Sequence, residues 1–177
     1  LINKYSGNEG SVPKINKLGG SDWNKIKACY FFTHHFFETA ADTFPLEFLH
    51  ISNKSHPIIG EAPLAAFKPE SHALRLQCER ELRGLIIRLR SDFVYRLRNR
   101  TSLDFFLEAE KNLLPILYGV HFLEKGTYPE SKDSVREAYP FLQIPPPGQK
   151  ESIVSERANN YILEVEKILH HVDSMEV

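Results

Sequence analysis

A chain of 177 residues is long enough for one domain with a real core, or for one domain and a small appendage. Its 42% hydrophobic and 25% charged residues are ordinary for a globular protein. A formal net charge of -1 excludes the basic excess by which bulk electrostatics hold nucleic acid or an anionic membrane, so any anion site must be local.

Residues 1 to 22 mix Gly, Asn, Ser and Lys with little periodicity and predict a loop or a frayed start. Within them KLGGSDW invites comparison with a phosphate cradle. No lysine-serine completes a P-loop, however, and the stretch is read as a turn before a capped helix. WNKIKACYFF, residues 23 to 32, ends in an apolar run of strand length. Thr33 has the chemistry of a helix N-cap, with HHFFETAAD behind it. Pro45 interrupts this helix, and PLEFLHIS suits a short helix or a strand equally. SNKSHPIIGEAPL reads as a turn, a short strand and a Gly/Pro-punctuated loop.

From Glu70 the pattern becomes helical. Residues 70 to 98 form one long helix, and Ser102 caps a second, in which Pro115 should kink the middle and Gly126 close the end. Ser131 to Tyr139 is a third, stopped by Pro140. After the stiff QIPPPGQ connector, 150 to 172 supplies a fourth, with Ile153, Val154, Tyr161, Ile162, Val165, Ile168 and Leu169 as its stripe. Short links favour antiparallel neighbours, so the expected fold is mainly α. It is an up-and-down bundle of four helices over 69–177, with a small α/β remnant over 1–68.

The most informative stretch is LRLQCERELRGLIIRLR, residues 74 to 90, with five arginines. At about 100° per residue, Leu74, Cys78, Leu82, Leu85 and Leu89 share one side. Leu76 and Ile87 fall well away from it, as expected of a helix sandwiched between two layers. Between the stripes lie Arg75, Arg83 and Arg90, with Glu79 spaced i,i+4 from the first two. One carboxylate cannot neutralise three guanidiniums, and arginine's fork suits phosphate oxygens. Arg75, Arg83, Arg90 and the adjacent Arg80 are therefore candidate phosphate contacts. The alternative is a layer boundary whose arginines bond carbonyls, Asp or Glu elsewhere.

No complete catalytic constellation appears. The acidic pairs Glu79/Glu81, Glu108/Glu110 and Glu164/Glu166 lie in helical patterns. Residues i and i+2 diverge there, so they predict solvated charges and no metal site. The adjacent histidine pairs 34/35 and 170/171 point apart. Cys29 and Cys78 lie in apolar stretches without metal or redox spacing, as buried thiols of a reducing cytosol would. A cytoplasmic location is expected.

DTFPLEFLHIS, IIGEAPL and LRLQCERELRGLIIRLR, in that order, resemble the region after the catalytic strands in bacterial nucleotidyltransferase-domain proteins of the DNA polymerase beta-like superfamily. There a similar arginine-rich helix precedes an all-helical bundle. The resemblance covers about residues 25 to 98, and beyond 100 rests on helix order. It implies transfer of a nucleoside monophosphate from a nucleoside triphosphate to an acceptor, with magnesium. The family's Gly-Ser turn and strand aspartates have no counterpart, because no Asp-x-Asp follows Gly20-Ser21. Glu47 is the nearest acidic residue in an apolar setting and a weak substitute. Together with the opening on Leu1, this implies that the catalytic lobe has been removed, the alternative being a degenerate, inactive relative. No magnesium is then expected on this chain, whose role is that of a helical, substrate-binding portion. The competing expectation is a non-enzymatic interaction domain, dimerising through FFLEAEKNLLPILYGVHFL. That helix carries Phe105, Phe106, Leu113, Leu117, Tyr118 and Phe122, more apolar surface than one stripe needs.

Overall fold

A computed structural model describes residues 32–56, 64, 67–99, 102–146 and 148–177. These are mainly helical, as the periodicity implies. All of the expected strand at 23–32 except Phe32, the KLGGSDW turn, Cys29 and nearly all of IIGEAPL lie outside the described residues.

Two short helices come first, α1 (His34–Thr39) and α2 (Pro45–Lys54). Thr33 caps α1 by accepting from the Phe36 amide at 3.1 Å. PLEFLHIS resolves as the helix of α2, with Pro at its first turn, where the missing N–H costs nothing. Then follow α3 (Ser71–Asn99), α4 (Ser102–Lys125), α5 (Lys132–Ala138), a 3-10 turn (Pro140–Leu142) and α6 (Glu151–Asp173). Pro115 sits inside α4 without ending it. Gly126 then takes φ +69°, a left-handed conformation that glycine adopts freely, and its amide bonds the Phe122 carbonyl at 2.8 Å. Ser131 and Ser134 cap α5 reciprocally.

The core is built on α3, which packs along both α4 and α6. Leu74, Cys78, Leu82, Leu85 and Leu89 are all buried there, as the wheel predicts. The start of α3 lies beside the end of α4, where Cys78 is near the Ile116 carbonyl and Gly119. The end of α3 meets the start of α4 through Phe93 and Phe105. These two helices are antiparallel. α6 runs with α4, since Phe105 and Phe106 meet Tyr161 at one end and Glu124 meets His171 at the other. α2 crosses α3 and α4, placing Leu46 and Leu49 in this core, while Phe48 joins Phe37, Ala40 and Leu64 in a smaller aromatic one. Burying one such side chain contributes roughly 1.5–3 kcal/mol.

Three expectations need correction. Leu76 is 44% and Ile87 70% exposed, so no second layer covers them among the described residues. α2, α4 and α6 all pack on the side of the leucine stripe, leaving the outer aliphatics among arginine stems. Ile153, expected in the stripe of α6, is also exposed. Conversely Phe105, Phe106, Leu113, Leu117 and Tyr118 are buried. The surplus apolar surface of α4 is core, because α4 is packed by α2, α3, α5 and α6 together.

Candidate functional site

The arginine edge is real as an alignment on one unbroken helix, but each guanidinium there meets an acidic group. Arg75 donates to Glu79 Oε2 at 3.1 Å and to the Val172 carbonyl at 3.4 Å, and its side chain is only 13% exposed. Arg83 donates through Nε to Glu79 Oε1 at 2.8 Å and lies 3.6 Å from Asp173 Oδ2. Arg83's hydrogen bond, more than any other factor, holds the Glu79 carboxyl below its usual range. Arg90, two turns on, donates to Glu166 Oε1 at 2.6 Å. Arg80 lies 3.6 Å from Glu81. Arg75 and Arg83 therefore meet on one carboxylate, while Arg90 and Arg80 do not join them. The net positive sector inferred from spacing is balanced by Asp173 and Glu166 of α6, partners that spacing within α3 cannot reveal.

Glu47 belongs to a different device. The N-cap of α2, Phe44, has no side-chain acceptor for the orphan amides of the first turn. Gln77 of α3 supplies one. Its Oε1 accepts from the Leu46 amide at 2.8 Å, and its Nε2 donates to Glu47 Oε2 at 2.7 Å. Gln77 is buried, and a polar group there is tolerated because both ends of its amide are satisfied. Replacing it should strand the Leu46 amide. Gln77→Leu is expected to cost about 1–3 kcal/mol, read as a lower denaturation midpoint together with faster hydrogen exchange at Leu46.

Two clusters escaped the sequence. Glu110 is 3% exposed, not solvated as expected of its acidic pair. Arg136 of α5 donates to it at 2.6 Å, and Lys132 lies at 3.7 Å. That hydrogen bond, first among its neighbours, raises Arg136 further into its charged form. The second cluster joins α2 to the loop after α4. There His50 Nδ1 and Tyr128 Oη are 2.5 Å apart, Tyr128 stacks on Tyr118, and Lys54 donates to the Glu130 carbonyl at 3.1 Å. Burial, then the Lys54 charge, pushes His50 below its ordinary value, while burial pushes Tyr128 up. Both groups are neutral near pH 7 and share a hydrogen bond, not an ion pair. Neither cluster has a sequence signal, since the partners lie 26 and 78 residues apart.

An open groove of about 650 Å³ runs between Phe141 and the outer face of α6, past Asn160, Leu163, Lys167 and His170. Glu164 and Glu166 line it too; Lys167 is engaged by Glu164 at 2.6 Å, and Glu166 by Arg90. Among the described residues no three His, Cys, Asp or Glu side chains come together as a metal site, so no residue is assigned to magnesium. No described helix is long and apolar enough to cross a membrane. No family model, curated protein or solved structure matches this chain.

Proposed function

We infer that this chain is the helical, non-catalytic portion of a nucleotidyltransferase-like protein. In that protein, residues outside 1–177 would transfer the nucleoside monophosphate and hold magnesium. The observation carrying the reading is Gln77. Its buried amide bonds Leu46 and Glu47, tying the resemblance-bearing segment PLEFLHIS to the resemblance-bearing LRLQCERELRGLIIRLR. Leu64 of IIGEAPL is buried with Phe48 of the first segment, so all three stretches share one junction. Their common occurrence then has a packing cause, and Glu47 is a structural acid. The finer architecture belongs to the same proposal: 69–177 as an up-and-down bundle of four helices, with 1–68 as the edge of an α/β lobe. The opposed directions of α3 and α4 support it.

A second reading, that the arginines face a triphosphate or its acceptor, is favoured by Arg80, Arg83 and Arg90, whose side chains are more than half exposed. Arg75 is too enclosed to turn outward. Calorimetric titration with magnesium-ATP and magnesium-CTP tests both readings, using this chain and a version extended upstream of Leu1 through its reading frame. Binding by the extended version is expected, and its absence overturns the family reading. If the arginines touch phosphate, the Arg80→Ala/Arg83→Ala/Arg90→Ala variant should bind at least about tenfold more weakly, each charged hydrogen bond contributing roughly 1.5–3 kcal/mol.

A further inference from the structure

Two side chains of α2 hold the connection between α4 and α5, residues 126–131. His50 Nδ1 bonds the Tyr128 hydroxyl at 2.5 Å. One turn further along α2, Lys54 donates to the Glu130 carbonyl at 3.1 Å, and its Nζ stands 5.5 Å over the Tyr128 ring. The other anchors are the stacking of Tyr128 on Tyr118 and the burial of Pro129. At the near end Gly126 takes φ +69° with open space around it, which makes it a joint. We propose that this connection is an acid-released strap: α2 holds it while the His50 imidazole is neutral, and a proton on His50 loosens it. The proposal does not rest on the nucleotide reading.

The groups around the imidazole give the device its sign. His50 and Lys54 are spaced i,i+4 and so lie side by side on α2. A protonated His50 sets a second cation against the phenol that Lys54 already covers. Tyr118 of α4 and Tyr128 face His50 as neutral phenols that burial keeps protonated. The nearby carboxylates are engaged or turned away. Glu47 of α2 accepts from Gln77, and Asp133 of α5 pairs with Arg136 at 3.3 Å beside Tyr118. Glu130 offers Lys54 its carbonyl and is itself exposed. None of these gives the imidazolium a counter-ion. The hydrogen bond narrows as well. In the neutral pair either group can donate, whereas in the protonated one Nδ1 must donate and the phenol must turn its own proton elsewhere. Burial and then the Lys54 charge favour the neutral imidazole. The hold is therefore complete above the ordinary histidine range and is lost as pH falls below it.

The test is an NMR titration of the full chain from about pH 8 to about pH 5, following the rings of His50 and Tyr128. His50 should titrate below the ordinary histidine value. The Tyr128 ring protons should move with the same midpoint, out of the shielding of Tyr118, and cross-relaxation between the two rings should be lost. The methyls of Leu82 and Leu113, both buried in the bundle, should stay unchanged. Lys54→Met should raise the midpoint of both rings, and His50→Phe should leave Tyr128 indifferent to pH. A His50 midpoint at or above the ordinary value, as pairing with Glu130 would give, overturns the proposal. So does a Tyr128 ring that ignores the His50 midpoint, or an unchanged midpoint in Lys54→Met. Leucine methyls that shift together with Tyr128 also overturn it, because acid then unfolds the bundle and not the strap.

Discussion

Gly119→Ala should destabilise the fold by about 1–3 kcal/mol, although alanine is the better helix former. Gly119 lies in α4 where α2, α3 and α4 meet. A Cβ there would stand 2.6 Å from Leu46 Cδ1 and 2.8 Å from Cys78 Sγ, closer than real carbons approach. The leucine end can turn, but the cysteine is short and enclosed, so α2 or α3 must shift. Gly84 provides the contrast on α3. A Cβ there meets only the Arg88 guanidinium, at 3.8 Å, and Gly84→Ala should gain roughly 0.5–1 kcal/mol from propensity alone. Denaturant midpoints should move in opposite directions for the two variants with unchanged slopes. Adding Cys78→Ala should recover part of the Gly119→Ala loss. If Gly119→Ala is as stable as Gly84→Ala, the helices do not approach as described.

Arg136→Ala should cost about 3 kcal/mol, near the lower end for breaking a buried pair. The asymmetry lies in burial, because Glu110 is 3% exposed while the Arg136 side chain is 38% exposed. Removing the arginine leaves the carboxylate in the core with only Lys132, at 3.7 Å, to answer it. Removing the carboxylate instead leaves Arg136 with water and with Asp133, at 3.3 Å. Glu110→Met should therefore cost less than about 1 kcal/mol, and Arg136→Ala should add little on that background. Thermal unfolding of the two single variants and the double variant checks all three expectations. Equal losses for the single variants would mean that the pair behaves as a surface bridge.

What the sequence could reveal follows the range of its signals. The leucine stripe of α3, the Thr33 cap and the Gly126 stop depend on neighbours within a turn or two, and the structure places each where the pattern indicates. PLEFLHIS is ambiguous in sequence because a short apolar run has no decisive period. Spacing within α3 leaves both readings of its arginines open, and it cannot reveal the pairing alternative that Arg75, Arg83 and Arg90 adopt, because their partners on α6 lie 76 or more residues away. An aliphatic on a second helix face has the same period whether a layer covers it or not, so the pattern alone predicts a layer over Leu76 and Ile87. The helical spacing of Glu108 and Glu110 predicts solvated charges, and nothing in the sequence singles out Gln77. Only tertiary contacts distinguish a buried amide that caps another helix, or a buried acid clasped by arginine, from a solvated one.

Cys78 gives the junction a chemical clock. Its thiol is fully enclosed, and burial, reinforced by the Glu81 and Glu47 charges, pushes it up to about 12. Thiolate, the form that alkylating reagents and oxidants attack, is therefore scarce at neutral pH, and reagent has no route to the sulfur while α2, α3 and α4 stay together. In a chain carrying Cys29→Ser, the rate at which this sulfur is modified measures how often those helices part, without any probe being added to the protein.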